Sequence, residues 1–425
     1  MQSKRAISQK MKCIFHVSLL SLFITPVLPQ PLKIAVISVF VIVCLFAFLK
    51  FKPAFKWQFF VLNASLYIVY LISLSYSSNL NYALSKLEVS ASLIVFPFAF
   101  ALIPVDILNY SLERVKDLFA AYIVSILVLN ISLIVYYLFH FDGSVLSVEF
   151  SNYLNNFNSN YIVHPLYLSM HNAVALLLVI YLLRTERFMK SGIALFLVGC
   201  CLAVGLIVLM KKGPVFAFFI VATFLCLKYN LKRIWAFYFV LVASFGLSFA
   251  VMPQTLESFN ELLKVEKVET DKNSSQIQVS VLQCVRENVD KTGFLGFGIG
   301  DAHDAQIACY SVMGSDLAKG SYNTHNQYLS ILLMTGFFGL FVFILFLAHN
   351  INNAIKSGVF ITIAIILFYA LVMFSENILE RQEGVLYFSI LLNLLFFLNK
   401  SNQQKVKVKK KPKDSLTAII DNRPA

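Results

Sequence analysis

The chain alternates long apolar runs with short polar clusters, and twelve of the runs are long enough to cross a bilayer core, which takes roughly 20 helical residues at about 1.5 Å each. They fall at about 13–29, 34–51, 57–76, 87–104, 117–139, 166–183, 192–210, 213–228, 234–252, 328–347, 358–375 and 384–399. A segment in lipid must satisfy its own backbone hydrogen bonds, which leaves the α-helix as its form. The pattern therefore predicts an all-α fold, a polytopic transmembrane helical bundle of about 12 helices with one large, partly helical outer loop. Helices 1–9 occupy residues 1–252, the large loop 253–327, helices 10–12 residues 328–399, and a basic cytoplasmic tail 400–425. No internal repeat of the kind that marks many transporters is visible.

Composition excludes a soluble fold: 59% of the residues are hydrophobic and 13% charged, against roughly one-quarter charged in soluble domains. The first run follows Lys4, Arg5, Lys10 and Lys12 as a secretion signal would, yet Pro26-Val-Leu-Pro-Gln30 offers no small-x-small cleavage site, so it reads as a retained helix. Cytoplasmic flanks retain Lys and Arg during insertion. With the amino terminus inside, 24 of the 35 basic residues fall on inner connections and the tail, and the 140–165 loop has neither Lys nor Arg. Both termini are then cytoplasmic. The formal charge of +13 follows this topology and the Lys405–Lys413 tail, which argues against nucleic acid as a partner. Cys13, Cys44, Cys200, Cys201 and Cys226 lie in apolar runs, whereas Cys284 and Cys309 fall outside the membrane. Spacing leaves that pair open between a disulfide and two free thiols.

The large loop is not a featureless linker. Ile277, Val281, Val285 and Val289 recur every four residues and draw one apolar stripe on a helix with Arg286 at its margin, and a second helix is expected at about 302–314. Between them Gly293-Phe-Leu-Gly-Phe-Gly-Ile-Gly300 lacks the strand-then-helix setting of a nucleotide-binding loop and reads as a tight turn on the membrane surface. At the start of the tenth run, Thr324-His325-Asn326-Gln327 has capping-box spacing, which would put His325 in the first helical turn. There a neutral, basic imidazole is favoured, although spacing alone favours a histidine that merely marks the lipid interface. Gly336-Phe-Phe-Gly339 places two small residues on one helix face, suited to close helix packing or to no special purpose. Asp301, His303, Asp304, Cys309 and His325 fall close in sequence but show no metal-ligand spacing, and no nucleophile-elbow pattern is present. No metal or other cofactor is expected.

His325-Asn326, nine residues, then Gly336-x-x-Gly339 resembles the signature of bacterial O-antigen ligases and the related lipid-linked polysaccharide polymerases. Arg286 followed by Gly296-Phe-Gly298-Ile-Gly300-Asp301 is similar to the family's Arg, then Gly-x-Gly, in the large periplasmic loop. His164-Pro165-Leu-Tyr-Leu-Ser169 and Glu376-Asn-Ile-Leu-Glu380-Arg381-Gln-Glu-Gly384 also resemble family segments. The second half carries most of the likeness. At the outer turn between helices seven and eight the family commonly has Ser-Arg-Gly, and this chain has Lys211-Lys212-Gly213, which keeps the charge but loses the bidentate fork.

The resemblance implies a ligase of the inner membrane that joins a polyprenyl-pyrophosphate-linked glycan to lipid A-core or another glycolipid on the periplasmic face, inverting and without metal. It implies catalytic roles for His325 and Arg286, and pyrophosphate or acceptor contacts for Lys211, Lys212, Arg381, Asn326 and His164. Glu376 and Glu380 are given only a supporting part, since neighbouring ion pairing explains them as well. Two alternatives stand beside this reading. One is a surface-polysaccharide polymerase of the same superfamily; the other, of a different class, is a polysaccharide or lipid flippase, which predicts charges deep in the bundle where this chain has few, His16 and His171 among them.

Overall fold

The computed structural model describes residues 9–141, 150, 153, 164–185, 190–209, 211–251, 274–313, 319–320 and 322–410. Lys4 and Arg5, most of the 140–165 loop, residues 252–273 of the large loop and the tail beyond Lys410 lie outside these residues. The described chain is helical throughout, with no strand among the described residues. The first four helices are α1 (Gln9–Ile24), α2 (Gln30–Phe51), α3 (Trp57–Asn63) and α4 (Ser65–Leu74). They are followed by α5 (Leu80–Ser90), α6 (Ser92–Leu102), α7 (Val105–Glu113), α8 (Val115–His140) and α9 (Pro165–Thr185). Then come α10 (Lys190–Leu209), α11 (Lys212–Tyr229), α12 (Lys232–Val251), α13 (Ser274–Thr292) and α14 (Ala302–Met313). The last three are α15 (Gln327–Ser357), α16 (Phe360–Val372) and α17 (Gln382–Lys410).

Every one of the twelve apolar runs coincides with a helix or a bent pair. Nine helices among the described residues are long and apolar enough to cross a membrane; α3–α4 and α5–α6 pass together as pairs bent by 64° and 44°, and α16 is a shorter apolar helix. The bundle is built around α9, of whose apolar window 94% is buried, and α17, at 78%. Helix α9 packs against α8, α10, α11, α12 and α16. At the periphery α2 and α12 bury only 22% of theirs and turn Ile34, Ile42, Phe46 and Leu49, or Phe239 and Leu247, outward. Such apolar faces are at home in lipid and unfavourable in water. Inside, polar side chains join helices: Asn130 Nδ2 donates to Asn172 Oδ1 at 2.6 Å and the Tyr122 hydroxyl meets His171 Nδ1 at 2.6 Å. Gly205 leaves room for the asparagine pair, because a Cβ there would press on both amides.

Helix α15 is longer than its apolar run and is broken at Gly336, whose φ of 64° and ψ of −168° belong to no helix. The break would leave carbonyls without partners, and the glycine-rich turn after α13 supplies them. Phe297 N–H donates to Leu333 O at 2.9 Å and Gly298 N–H to Met334 O at 3.0 Å, while Phe338 N–H donates to Phe294 O at 3.1 Å. The turn is docked into the helix from Gly296 onward, while Phe294 and Leu295 remain exposed. Gly336 is needed for its positive φ and for contact with the Phe294 carbonyl, and Gly296 for its approach to the Thr335 and Gly336 amides. The close-packing reading of Gly336 is thus corrected; Gly339 does face a neighbour, Val69 of α4.

The same unit is tied to the α4–α5 turn. Asp301 accepts the backbone N–H groups of Ser78 and Asn79, both at 2.7 Å, and Asp304 accepts from Asn79 Nδ2 at 2.9 Å. Within the unit, α13 buries Val281, Val285 and Asn288, and the Cys284–Cys309 disulfide joins it to α14. The question left open by spacing is answered in favour of the bridge.

Two predictions follow from this arrangement. Gly336→Ala should lower the stability of the detergent-solubilised protein by about 3 kcal/mol, since three backbone hydrogen bonds at roughly 1 kcal/mol each depend on the break. Gly246→Ala, at an open helical position, should be neutral or stabilising; equal thermal midpoints for the two variants would contradict the docking role. Mass spectrometry after alkylation should show Cys284 and Cys309 unlabelled without reductant and both labelled with it.

Candidate functional site

Four chain turns meet at the end of the bundle that carries the α13–α14 unit: the α4–α5 turn, the approach to α9 at His164, the α10–α11 turn at Lys211, and the 373–381 connection between α16 and α17. They are brought together by packing that requires small residues. A Cβ at Gly213 would press on the Ser375 side chain, and one at Gly384 would meet the Ile378 carbonyl. Gln30 to Gln382 at 2.7 Å and Lys33 to Glu383 at 3.3 Å secure the same end from α2.

Glu380 anchors it. Its carboxylate receives Lys86 Nζ at 2.6 Å, Asn377 Nδ2 at 2.5 Å and the Ser330 hydroxyl, so α5, α15 and the 373–381 connection share one ion. Burial pushes its pKa up, but Lys86 and these donors outweigh burial and leave it below the ordinary carboxylate value. The expectation of neighbouring ion pairing is corrected for Glu380, which is paired with Lys86, nearly 300 residues away in sequence. Asn377 Nδ2 also donates to Thr324 Oγ1 at 2.8 Å, and Leu379 N–H donates to Gln327 Oε1 at 2.7 Å.

These bonds fix the entrance to α15, which differs from a capping box. Asn326, not Thr324, is the N-cap: its Oδ1 accepts from Tyr328 and Leu329 N–H at 3.0 and 3.1 Å, and its Nδ2 donates to Phe374 O at 3.1 Å. Thr324 and Gln327 are both engaged with the 373–381 connection, so neither is free for the box. His325 therefore stands before the helix, in the left-handed region at φ 48°, where its N–H donates to Asn323 Oδ1 at 3.2 Å. A histidine held at positive φ by flanking side chains is a strained, over-determined position. Burial lowers its pKa, which keeps the imidazole neutral and able to take a proton at neutral pH. Half-burial, rather than a helix terminus, is what favours the neutral form.

The cationic residues gather around one acid. Lys211 is the N-cap of α11; burial lowers its pKa, with Glu376 acting against this. Glu376 is pushed up to about 7 by burial, against the pull of Lys211 and Arg381. His164 is pushed down to about 4 by its surroundings and then by Arg381 and Lys211, and its Nδ1 accepts the Leu166 N–H at 3.3 Å. Lys212 follows directly as the first residue of α11. Thus His164, Lys211, Arg381 and Asn326 lie around the 373–381 connection. Arg286 is not part of this group: it stands on the exposed face of α13 with no hydrogen bond or ion pair among the described residues. Its tie to the site is the α13–α14 unit, through the disulfide and Asn288 Nδ2 to Ala305 O at 3.2 Å.

Between the unit and the bundle lies a polar cavity of about 320 Å³, walled by α5 (Tyr82, Lys86), α14 (His303, Gln306), the Asn323-Thr324 approach to α15, Ser330, and Glu380-Arg381. Arg381 is common to the cavity and to the cationic group. An array of this kind can hold an anion at the cations, a hydroxylated group in the cavity, and a proton acceptor at His325. Sequence reading missed Lys86 and Gln306, weighed His303 only as a metal ligand, and undervalued Glu376. Lys86 carried the one available signal, an ion-forming residue at the mouth of an apolar run.

Residues 200–344 match the family model described as O-antigen ligase. The match takes in Lys211, Lys212, Arg286, the glycine-rich turn, His325 and the broken helix, and leaves out His164 and the 373–381 connection. No curated protein matches the chain. This multi-pass helical membrane protein thus carries, over residues 200–344, a segment similar to the O-antigen ligase family, which supports a membrane enzyme of the ligase or polymerase type.

Proposed function

We propose that the protein joins O-antigen polysaccharide, carried on a polyprenyl pyrophosphate, to lipid A-core on the periplasmic face of the bacterial inner membrane, with both termini cytoplasmic. The observation that carries this reading is the meeting of a neutral His325, a cationic group around Glu376 and a polar cavity at one end of the bundle. A lipid-linked donor must be met where the chain's polar groups leave the bilayer, and these do.

In the reaction the acceptor hydroxyl oxygen attacks the anomeric carbon from the side opposite the pyrophosphate, the glycosidic C–O bond breaks, and the configuration inverts. The hydroxyl proton passes to His325, and the electron pair of the broken bond leaves with the pyrophosphate. Its growing charge is met by Lys211, Lys212 and Arg381, and Arg286, on the exposed face of α13, is given the same role on the family resemblance alone. Preorganised cations in a half-buried site supply stabilisation that water would weaken, and the reading calls on no metal. Asn326 acts by holding the His325 turn, since its amide is engaged in the cap. Glu376 tunes the group: protonated, it leaves Lys211 and Arg381 to the donor, and ionised, it competes for them.

The polymerase alternative uses the same chemistry with a second lipid-linked glycan as acceptor. Deletion should separate the two: loss of a ligase leaves long polymer on the carrier lipid and bare core in the outer membrane, whereas loss of a polymerase leaves core capped with one unit.

With reconstituted protein, lipid-linked glycan and lipid A-core, His325→Ala should lower kcat by about 100- to 10,000-fold and Arg286→Ala by about 100- to 1,000-fold. Unchanged product from both would end the assignment. The pH profile has a defined sign. His325, lowered from 6.5, gives an acid limb below that value. Glu376, at about 7, ionises as pH rises through 7, so the KM for donor should increase above it. Glu376→Gln should flatten this rise and leave the acid limb in place.

A further inference from the structure

We infer that the cavity beside Arg381 is a carbohydrate subsite that seats one sugar unit of a substrate, with Gln306 and Asn323 as the residues that read its hydroxyl groups; this rests on the glycan-transfer reading above. The cavity's size, about 320 Å³, suits a small polar unit rather than a polymer, near the lower bound of the roughly 300–1,000 Å³ typical of small-molecule sites.

Its lining has the mixed chemistry that a pyranose ring requires. Part of the lining is apolar, from Ile299, Leu333 and Met334, and suits the C–H face of a sugar. Another part carries amides. Gln306 is 4% exposed, and its Nε2 has no hydrogen-bond partner among the described residues. A buried amide left unpaired costs about 1–3 kcal/mol, an expense explained if a ligand hydroxyl completes it. Asn323 Oδ1 is occupied by the His325 N–H, and its Nδ2 makes no hydrogen bond among the described residues. His303 lies stacked on Tyr82, ring centroids 5.1 Å apart and planes within 7°, which fixes its imidazole edge in the wall.

The charges argue against an anion as occupant. Lys86 is consumed by Glu380, which leaves Arg381 at the rim as the cation facing the cavity. A sugar seated here has a phosphate-binding guanidinium at one side and the His325 turn, through Thr324 and Asn323, at the other. That is where either the donor's first sugar or the acceptor's terminal sugar would have to lie for transfer.

The test is steady-state kinetics on wild type, Gln306→Met and Asn323→Asp, varying the lipid-linked glycan and the lipid A-core in turn. Gln306→Met keeps the side-chain length on α14. Asn323→Asp keeps the oxygen that accepts from His325 and removes the N–H donors from a different element, so a folding defect in one variant does not decide the matter. Each substitution should raise the KM for the same substrate about tenfold, the effect of one lost hydrogen bond, with a smaller fall in kcat. A rise confined to the glycan KM identifies the donor's sugar; one confined to the core KM identifies the acceptor's. If wild type transfers glycan and both variants keep both KM values within twofold, the subsite is refuted while the function stands. If wild type transfers nothing, both readings fall.

Discussion

The architecture depends on a hydrogen-bonding obligation at the Gly336 break. At membrane depth a backbone carbonyl that loses its helical partner has no water to turn to, so Leu333 and Met334 must be served by something else. The outer turn serves them with the amides of Phe297 and Gly298. A loop that elsewhere would wander is thereby fixed in register against α15, and everything C-terminal to it inherits that register. Asp301 grips the α4–α5 turn, α14 follows, and the disulfide holds α13 behind it. The cavity exists because this unit is held at a set distance from the bundle.

A second constraint is electrostatic. Glu380 is buried, which is tolerable only with matched donors. The donors come from three places in the chain, Lys86, Ser330 and Asn377. One ion thus locks the helix that enters the site to the connection that carries Glu376 and Arg381. Glu376 has the opposite treatment: it is half-buried near two cations, with no hydrogen bond among the described residues that would hold its charge, and its pKa is pushed up to about 7. Two carboxylates four residues apart are separated in role by their surroundings, one structural and one responsive.

Much of this was legible in the residues. Apolar run length located twelve helices or bent pairs, nine of the helices long and apolar enough to cross a membrane, because lipid imposes a length and a hydrophobicity that sequence displays directly. The four-residue stripe found α13 and its buried Val281 and Val285 face. What was hidden depended on contacts distant in sequence. Thr324 and Gln327 have capping-box spacing, yet their side chains are taken by Asn377 and Leu379, and the cap passes to Asn326. Gly336 within an apolar run reads as a packing residue, since nothing local announces that another loop will replace its hydrogen bonds. Lys86 and Glu380 look like separate surface charges until the fold joins them. Arg286 was legible as a family motif residue, and its place on an open face of α13 was not.

The sulfur bridge between α13 and α14 ties the assembly of the site to chemical surroundings as well as to folding. A bond of this type forms and persists where thiols are oxidised and is rare where glutathione and thioredoxin keep them reduced. The helix bearing Arg286 and the helix bearing Gln306 are therefore joined only after this stretch of chain has reached an oxidising compartment.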